Sequence, residues 1–188
     1  MLPTQRKRDS SLKGFKMESK IITLTAPCQK EIIDQMECVQ QFTLNCCSPF
    51  LSLVNSSNSM IDVELRWANS NPNTVFVIAQ EGSSIIGFAQ GSKIHADQAP
   101  GFLRGVGARE LCGDEYFYLD TVVVSPWHQK QGIGKKLIEQ ILNTQTCRNT
   151  LLWTQKDSAM FQLIIKMGGK VAWQSPPSGC FMIIPTGK

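Results

Sequence analysis

The stretch SPWHQKQGIGKKLIEQIL, residues 125–142, carries two glycines one residue apart, Gly132 and Gly134. Around them stand Lys130, Lys135, Lys136 and His128, and no acidic residue falls between Asp120 and Glu139. The first amides of a helix have no partner within it, and the helix dipole adds partial positive charge at the same end. A glycine there removes the Cβ that would hold an anion away from the backbone. The lysines supply further charge from the solvent side. These residue types at this spacing describe a cradle for a pyrophosphate.

Spacing narrows the compound. A Walker A loop requires G-x-x-x-x-G-K-[ST], and neither that spacing nor the hydroxyl is present. A dinucleotide fingerprint requires G-x-G-x-x-G, and position 137, where the third glycine would fall, is leucine. The pattern that remains is Gln129-x-x-Gly132-x-Gly134.

The elements that must position this loop are legible on either side of it. The apolar run YFYLDTVVVSP (116–126) reads as a strand buried on both faces. Ile133, Leu137, Ile138, Ile141 and Leu142 then share one helix face. Upstream, KIITLTAP (20–27) predicts a strand and residues 29–44 a helix. Residues 48–60 predict a loop. Ile61, Val63, Leu65 and Trp67 then alternate as in a strand, yet 62–68 also suits a short helix, the reading preferred here. Residues 73–94 predict a hairpin turning at Gly82. The segment 95–115, with its glycines and proline, predicts a long loop. Downstream, TLLWTQ (150–155) is a strand, and residues 157–169 are a helix capped by Asp157 or Ser158 and closed by glycine. KVAWQ and CFMIIP, split by SPPSG, close the chain as a strand pair. The order β–α–α–β–β–β–α–β–α–β–β is an α/β plan with an antiparallel front half.

Composition bounds the function class. At 188 residues the chain fits one domain with a real core. Residues 1–20 hold six Lys/Arg and two acids, so thirteen of each sign remain and the rest of the chain is formally neutral. Phosphate-backbone affinity scales with cationic contacts, so nucleic acid is not an expected partner. The division expected is a basic, flexible extension over 1–19, with Met17 as an alternative start, and one domain over 20–188. No run approaches the ~18 apolar residues of a membrane span and no signal peptide is visible, so no membrane partner and a cytoplasmic location are expected. Seven cysteines without C-x-x-C, and two histidines 33 residues apart, offer no metal-ligand spacing, so no metal is expected.

The Gln129-x-x-Gly132-x-Gly134 pattern, the strand before it, the helix after it and the element order of residues 20–185 together resemble the GCN5-related N-acetyltransferase (GNAT) family. The resemblance implies the acyl-CoA N-acyltransferase fold, a central mixed but mostly antiparallel sheet with helices on both faces. It implies that Leu119–Val124 splays away from Leu151–Thr154 to form the coenzyme A cleft. The acetyl-CoA contacts it implies are Val122, Val123 and Val124, mainly through main chain, and Gln129, Lys130, Gln131, Gly132, Ile133, Gly134 and Lys135 around the pyrophosphate. The implied reaction is direct transfer of acetyl to an amine of a small molecule or peptide, or else acyl-CoA sensing without catalysis. A homodimer is compatible with it.

Transfer to an amine needs a neutral amine, a polarised thioester carbonyl and a proton for the departing thiolate. Strand amides near Val122–Val124 suit the second need. By resemblance the base comes from this strand or its approach, which ranks Asp120 first, then Glu115 and Tyr118, with His95 a lesser candidate. Many relatives carry a tyrosine acid four residues before the glycine ending the last helix. Here that position is Ile164, or Ile165 counted from Gly169, and neither can donate a proton. Asp62, Glu64, Asp97, Glu110, Asp114 and Glu115 lean toward a cationic acceptor, such as a polyamine, an aminoglycoside or lysine.

Overall fold

The computed structural model describes residues 19–47, 58–175 and 179–186. The basic tail, the 48–57 part of the expected loop and most of the SPPSG turn lie outside the described residues, as does the side chain of Asp62. Among the described residues the order is β1 (Lys20–Thr25), α1 (Lys30–Cys47), α2 (Asn58–Ser70), β2 (Thr74–Glu81), β3 (Ser84–His95), α3 (Gly101–Gly105), α4 (Ala108–Cys112), β4 (Glu115–Val124), α5 (Ile133–Thr144), β5 (Asn149–Gln155), α6 (Ala159–Lys166), β6 (Lys170–Ser175) and β7 (Gly179–Pro185). No helix among them is long and apolar enough to cross a membrane.

The strands form a seven-stranded sheet in the order β1-β2-β3-β4-β5-β7-β6. Every neighbouring pair is antiparallel except β4 and β5, which run parallel. That parallel contact is short: Phe117 pairs with Thr150 and Tyr118 with Leu151, and beyond them the strands part. The expected splay between Leu119–Val124 and Leu151–Thr154 is therefore present.

Side-chain alternation sorts the core onto the two sheet faces. On one face Val77, Ala79, Phe117, Leu152 and Met182 pack against α5 and α6. On the other, Phe76, Ile78, Ile85 and Phe88 meet α1 and α2, while Tyr116, Leu151 and Phe181 meet α3 and α4. Helix α5 is seated by Ile133, Leu137, Ile138 and Ile141, all buried. Each contributes about 1.5–3 kcal/mol by leaving water, so the loop before this helix is tied to a rigid support. Helix α6 starts at Ser158, whose hydroxyl accepts from Phe161 N at 3.0 Å, and ends at Gly168 in the left-handed region, φ +85°.

Two expectations need correction. The stretch 95–115 is not a structureless loop. It holds a single 3-10 turn, Ala96–Gln98, and the two short helices α3 and α4. Its glycines punctuate rather than dissolve structure: Gly107 takes φ +67° before α4, while Leu103, Ala108 and Cys112 bury themselves against β4 and β5. Residues 58–60, expected as loop, are the first turn of α2, which is longer than the helix anticipated over 62–68.

Strand β4 carries an irregularity that alternation alone could not reveal. Gln90 faces Thr121 and Gly91 faces Leu119, so Asp120 is an extra residue with no opposite number on β3. A bulge of this kind bends a strand and re-aims its side chains. Before it, Phe117 and Leu119 face α5; after it, Val122 and Val124 do so, and Val123 turns to the α1 side. Gly91 makes the bulge possible, because a Cβ there would lie 2.5 Å from the Tyr118 carbonyl.

Candidate active site

A cleft of about 600 Å³ opens on the α5 face, between the end of β4, the loop into α5, and α6. Val122 and Val124 form its floor, Gln129, Lys130, Gly132 and Gly134 one wall, and Met160, Gln162, Leu163 and Lys166 the other. Ser125 N–H donates to Ile86 O at 2.8 Å across β3. Antiparallel ladders alternate, so the main-chain groups of Val122 and Val124 point away from β3 into the gap. The Gln129 amide donates to the Val124 carbonyl at 3.1 Å, and the Gln131 amide to Trp127 O at 3.2 Å, which ties the loop to the strand end. Lys136 N–H bonds to Gly132 O. The amides of Ile133, Gly134 and Lys135 precede that first helical bond and have no acceptor within the helix.

The two glycines do different work. Gly132 stands at φ +81°, and Lys130 before it at φ +60°. Gly134 is not left-handed, and a Cβ on it would meet only Val124 Cγ2 at 3.8 Å and Leu163 Cδ2 at 3.9 Å, both cleft residues. Gly132 serves the backbone; Gly134 keeps the cleft open. Gly132→Ala is accordingly expected to cost about 1–2 kcal/mol in urea unfolding. Gly134→Ala should leave stability unchanged or gain up to about 1 kcal/mol of helix propensity. Equal losses at both positions would contradict this division.

On the opposite sheet face, two cavities meet at Asp120. One, of about 210 Å³, is enclosed by Glu64 and Trp67 of α2, Gln90 of β3, and Phe102 of α3. The other, of about 470 Å³, lies among Phe102, Trp153, Trp173 and Phe181. Tyr118, Asp120 and Phe102 border both. Asp120 touches solvent inside these hollows, yet their walls surround it and raise its carboxyl pKa, partly offset by Gln90 Nε2, which donates to Oδ2 at 3.1 Å. Glu64 is raised as well, by burial and then by the charge of Asp120. The gap between β4 and β5 separates this carboxylate from the cleft on the other face.

The acetyltransferase (GNAT) family model matches residues 43–161 of the chain. The protein belongs to the GNAT family. Solved structures agree in fold. A crystal structure from Pyrococcus horikoshii OT3 has a TM-score of 0.67 at 19% identity, covering 89% of this chain and 98% of its own. The PaiA N-acetyltransferase of Thermoplasma acidophilum, crystallised with coenzyme A, scores 0.59 at 17% identity, covering 90% and 99%. NAA60 of Arabidopsis thaliana, crystallised with acetyl-CoA, scores 0.62 at 12% identity, covering 90% and 100%. No curated protein matches the chain by sequence.

Acetyl-CoA is the cofactor of this GNAT acetyltransferase. The cleft suits it on its own terms: Gly134 leaves space that a Cβ would fill, unpartnered helix amides face that space, and three lysines border the cleft at 130, 135 and 166. Of the ten residues expected to contact the cofactor, eight line the cleft. Val123 turns its side chain into the core on the α1 side, and the Gln131 side chain is spent on Trp127. Sequence reasoning missed the α6 wall, including Met160, Leu163 and Lys166. The signal available was the apolar spacing of α6 with its terminal lysine, which reads equally as core packing.

The three candidates for the base are not together. Tyr118 and Asp120 border the same hollows, and burial, then the charges of Asp120 and Tyr116, push the Tyr118 phenol far up. Glu115 sits at the other end of β4, where it accepts from Lys93 at 2.8 Å and His95 at 3.2 Å. The Lys93 ammonium holds its carboxyl below the usual value. Of the other acids read as acceptor determinants, Asp114 pairs with Arg109 at 2.6 Å, and Glu64 borders the inner hollow. Ile164 is fully buried against β5 and α5, and its neighbour Leu163 faces the cleft instead.

Proposed function

We propose that the protein transfers the acetyl group of acetyl-CoA directly to a primary amine, with Asp120 as general base. One observation carries this reading: Asp120, displaced from the ladder by the β4 bulge, stands where the hollows of one sheet face meet the gap leading to the cofactor cleft. When bound, acetyl-CoA supplies an activated acyl thioester. The chain's own parts do the rest. Val122 and Val124 present main-chain groups to the gap and hold the acyl arm there. Amides at the start of α5, with Lys130 and Lys135, hold the pyrophosphate. The raised carboxyl pKa of Asp120 makes it a stronger base than a free aspartate, suited to taking a proton from an ammonium in the hollow. Tyr118, its pKa raised, stays protonated near neutral pH and serves as a donor or wall rather than as a base. Glu115, paired with the Lys93 ammonium, is given a structural part. We place the reaction in the cytoplasm, on a small-molecule or protein amine.

No tyrosine stands on α6 to protonate the leaving thiolate. A thiol with a pKa of roughly 8.5 departs as thiolate near neutral pH at modest cost. Activity should therefore rise with pH as the amine and Asp120 lose protons, without an alkaline limb set by a helix acid. A kcat profile against pH, with acetyl-CoA saturating, checks this; a falling limb that disappears on replacing one side chain would contradict it. The buried Ile164 also suits a second reading, an acyl-CoA sensor without turnover. Release of free thiol from acetyl-CoA across a panel of amines decides between the two.

A further inference from the structure

Exposed tryptophan and phenylalanine are costly on a protein surface, and clusters of them mark binding sites. At the two hollows that meet at Asp120, Trp67 (59% exposed) borders the inner one, Trp153 (45%) and Trp173 (40%) the outer one, and Phe102 (54%) both. Phe102 stands edge-on to Tyr118 at 5.8 Å, and Trp173 is tilted against Phe181 at 6.0 Å, so the outer hollow is walled by rings. Among the described residues, neither hollow is lined by a lysine or arginine. The carboxylates present are Glu64 and Asp120. A third polar group points the same way. Gln90 is 2% exposed, its Nε2 is spent on Asp120, and its buried Oε1 has no partner among the described residues. A buried carbonyl oxygen of this kind needs an N–H donor.

Resting on the acetyltransferase reading, we infer that the acceptor is an amphipathic monoamine, with one primary ammonium lodged between Asp120, Glu64 and the Gln90 carbonyl, and a flat apolar body in the outer hollow among Phe102, Trp153 and Trp173. Two carboxylates and one amide oxygen satisfy a single ammonium with its three N–H donors. They offer nothing for the further charges of a polyamine or an aminoglycoside. The outer hollow, at about 470 Å³, is within the range of pockets that hold small molecules. Its rings favour a planar group, and also a cation passing over their faces on the way in. The same chemistry occurs in a free arylalkylamine and in a peptide whose first residue is large and apolar.

The test uses the full chain with saturating acetyl-CoA and five acceptors: phenethylamine, tryptamine, a Phe-Gly-Gly-Gly amide, propylamine and spermidine. The expected result is kcat/KM at least tenfold higher for the aromatic amines than for propylamine or spermidine. The peptide arm decides the source: preference for the peptide over the free amines assigns a protein N-terminus, and the reverse assigns a small molecule. Trp173→Ala should raise KM for phenethylamine about tenfold and leave propylamine and the affinity for acetyl-CoA unchanged. Phe102→Ala, at a more exposed side chain, repeats the test should Trp173→Ala fold poorly. Titration of phenethylamine by tryptophan fluorescence, with coenzyme A bound, runs alongside. Equal or better use of spermidine or propylamine overturns the inference and leaves the acetyltransferase reading standing. Aromatic amine that binds without turnover, and binds more weakly to both variants, supports the pocket and defeats the enzymatic reading. If no aromatic arm is either bound or turned over, the inference is overturned.

Discussion

A Gly134→Glu protein is expected to fold normally and to lose acetyl-CoA. The position tolerates a Cβ, since the nearest atoms lie at 3.8 and 3.9 Å, and its backbone is not left-handed. Beyond the Cβ, the side chain enters the cleft between Val124 and Leu163 and places a carboxylate among the α5 amides. Like charges about 4 Å apart near a protein surface repel by about 4 kcal/mol. Salt and solvent on the open side screen part of this, which leaves a loss in affinity on the order of a hundredfold or more. Calorimetric titration of acetyl-CoA into the variant, with its melting curve as control, checks the result. Parent-like affinity in a folded Gly134→Glu protein means that the pyrophosphate sits elsewhere.

Asp120→Asn is expected to separate activity from stability. If the carboxylate takes the proton, kcat/KM should fall by about 10²-fold, the low end for general base catalysis, with KM for acetyl-CoA little changed. Asparagine keeps an oxygen for the Gln90 amide, so the local geometry survives. The sign of the stability effect follows from the raised carboxyl pKa. The folded chain binds this proton more tightly than the unfolded chain does. Stability therefore falls as pH rises from the ordinary value of 3.8 through the higher folded one, and it stays lower above that. Asparagine carries no such penalty. The variant should gain on the parent at neutral pH, and the gain should vanish below pH 3.8. Unfolding midpoints at acidic and neutral pH measure it. Full activity in Asp120→Asn would remove the residue from the mechanism.

How legible this site was in the sequence depended on how local the determinant was. The glycine loop, the helix it opens and the strand it follows are contiguous, so period and turn chemistry specify them, as they do the 73–94 hairpin and the Ser158 cap. The bulge at Asp120 leaves no mark in YFYLDTVVV, because it is set by the register against β3 and by the room Gly91 provides. The helices of 96–112 were hidden because five-residue helices are too short to show a period. The aromatic hollow is the least local feature. Phe102, Tyr118, Trp153 and Trp173 come from four elements, and only the sheet order, which slips β7 between β5 and β6, brings them around one space.

The brief pairing of β4 with β5 has a further consequence, for the solution behaviour of the chain. Past Tyr118 and Leu151 the two strands no longer pair with each other, and main-chain groups face across a slot inside the sheet. Rows of this sort normally occur on edge strands, where they recruit strands of other molecules and begin aggregation. Here the slot is walled by α6 on one side and by the Phe102 and Trp153 rings on the other, so an extended cofactor arm enters more easily than a foreign β-strand. The coenzyme would then act as a plug against self-association as well as a reactant. Light scattering of the gently warmed protein should show aggregation delayed by coenzyme A at concentrations near its Kd, and delayed less in Gly134→Glu. Identical curves with and without the coenzyme would show that the helices and rings protect the slot unaided.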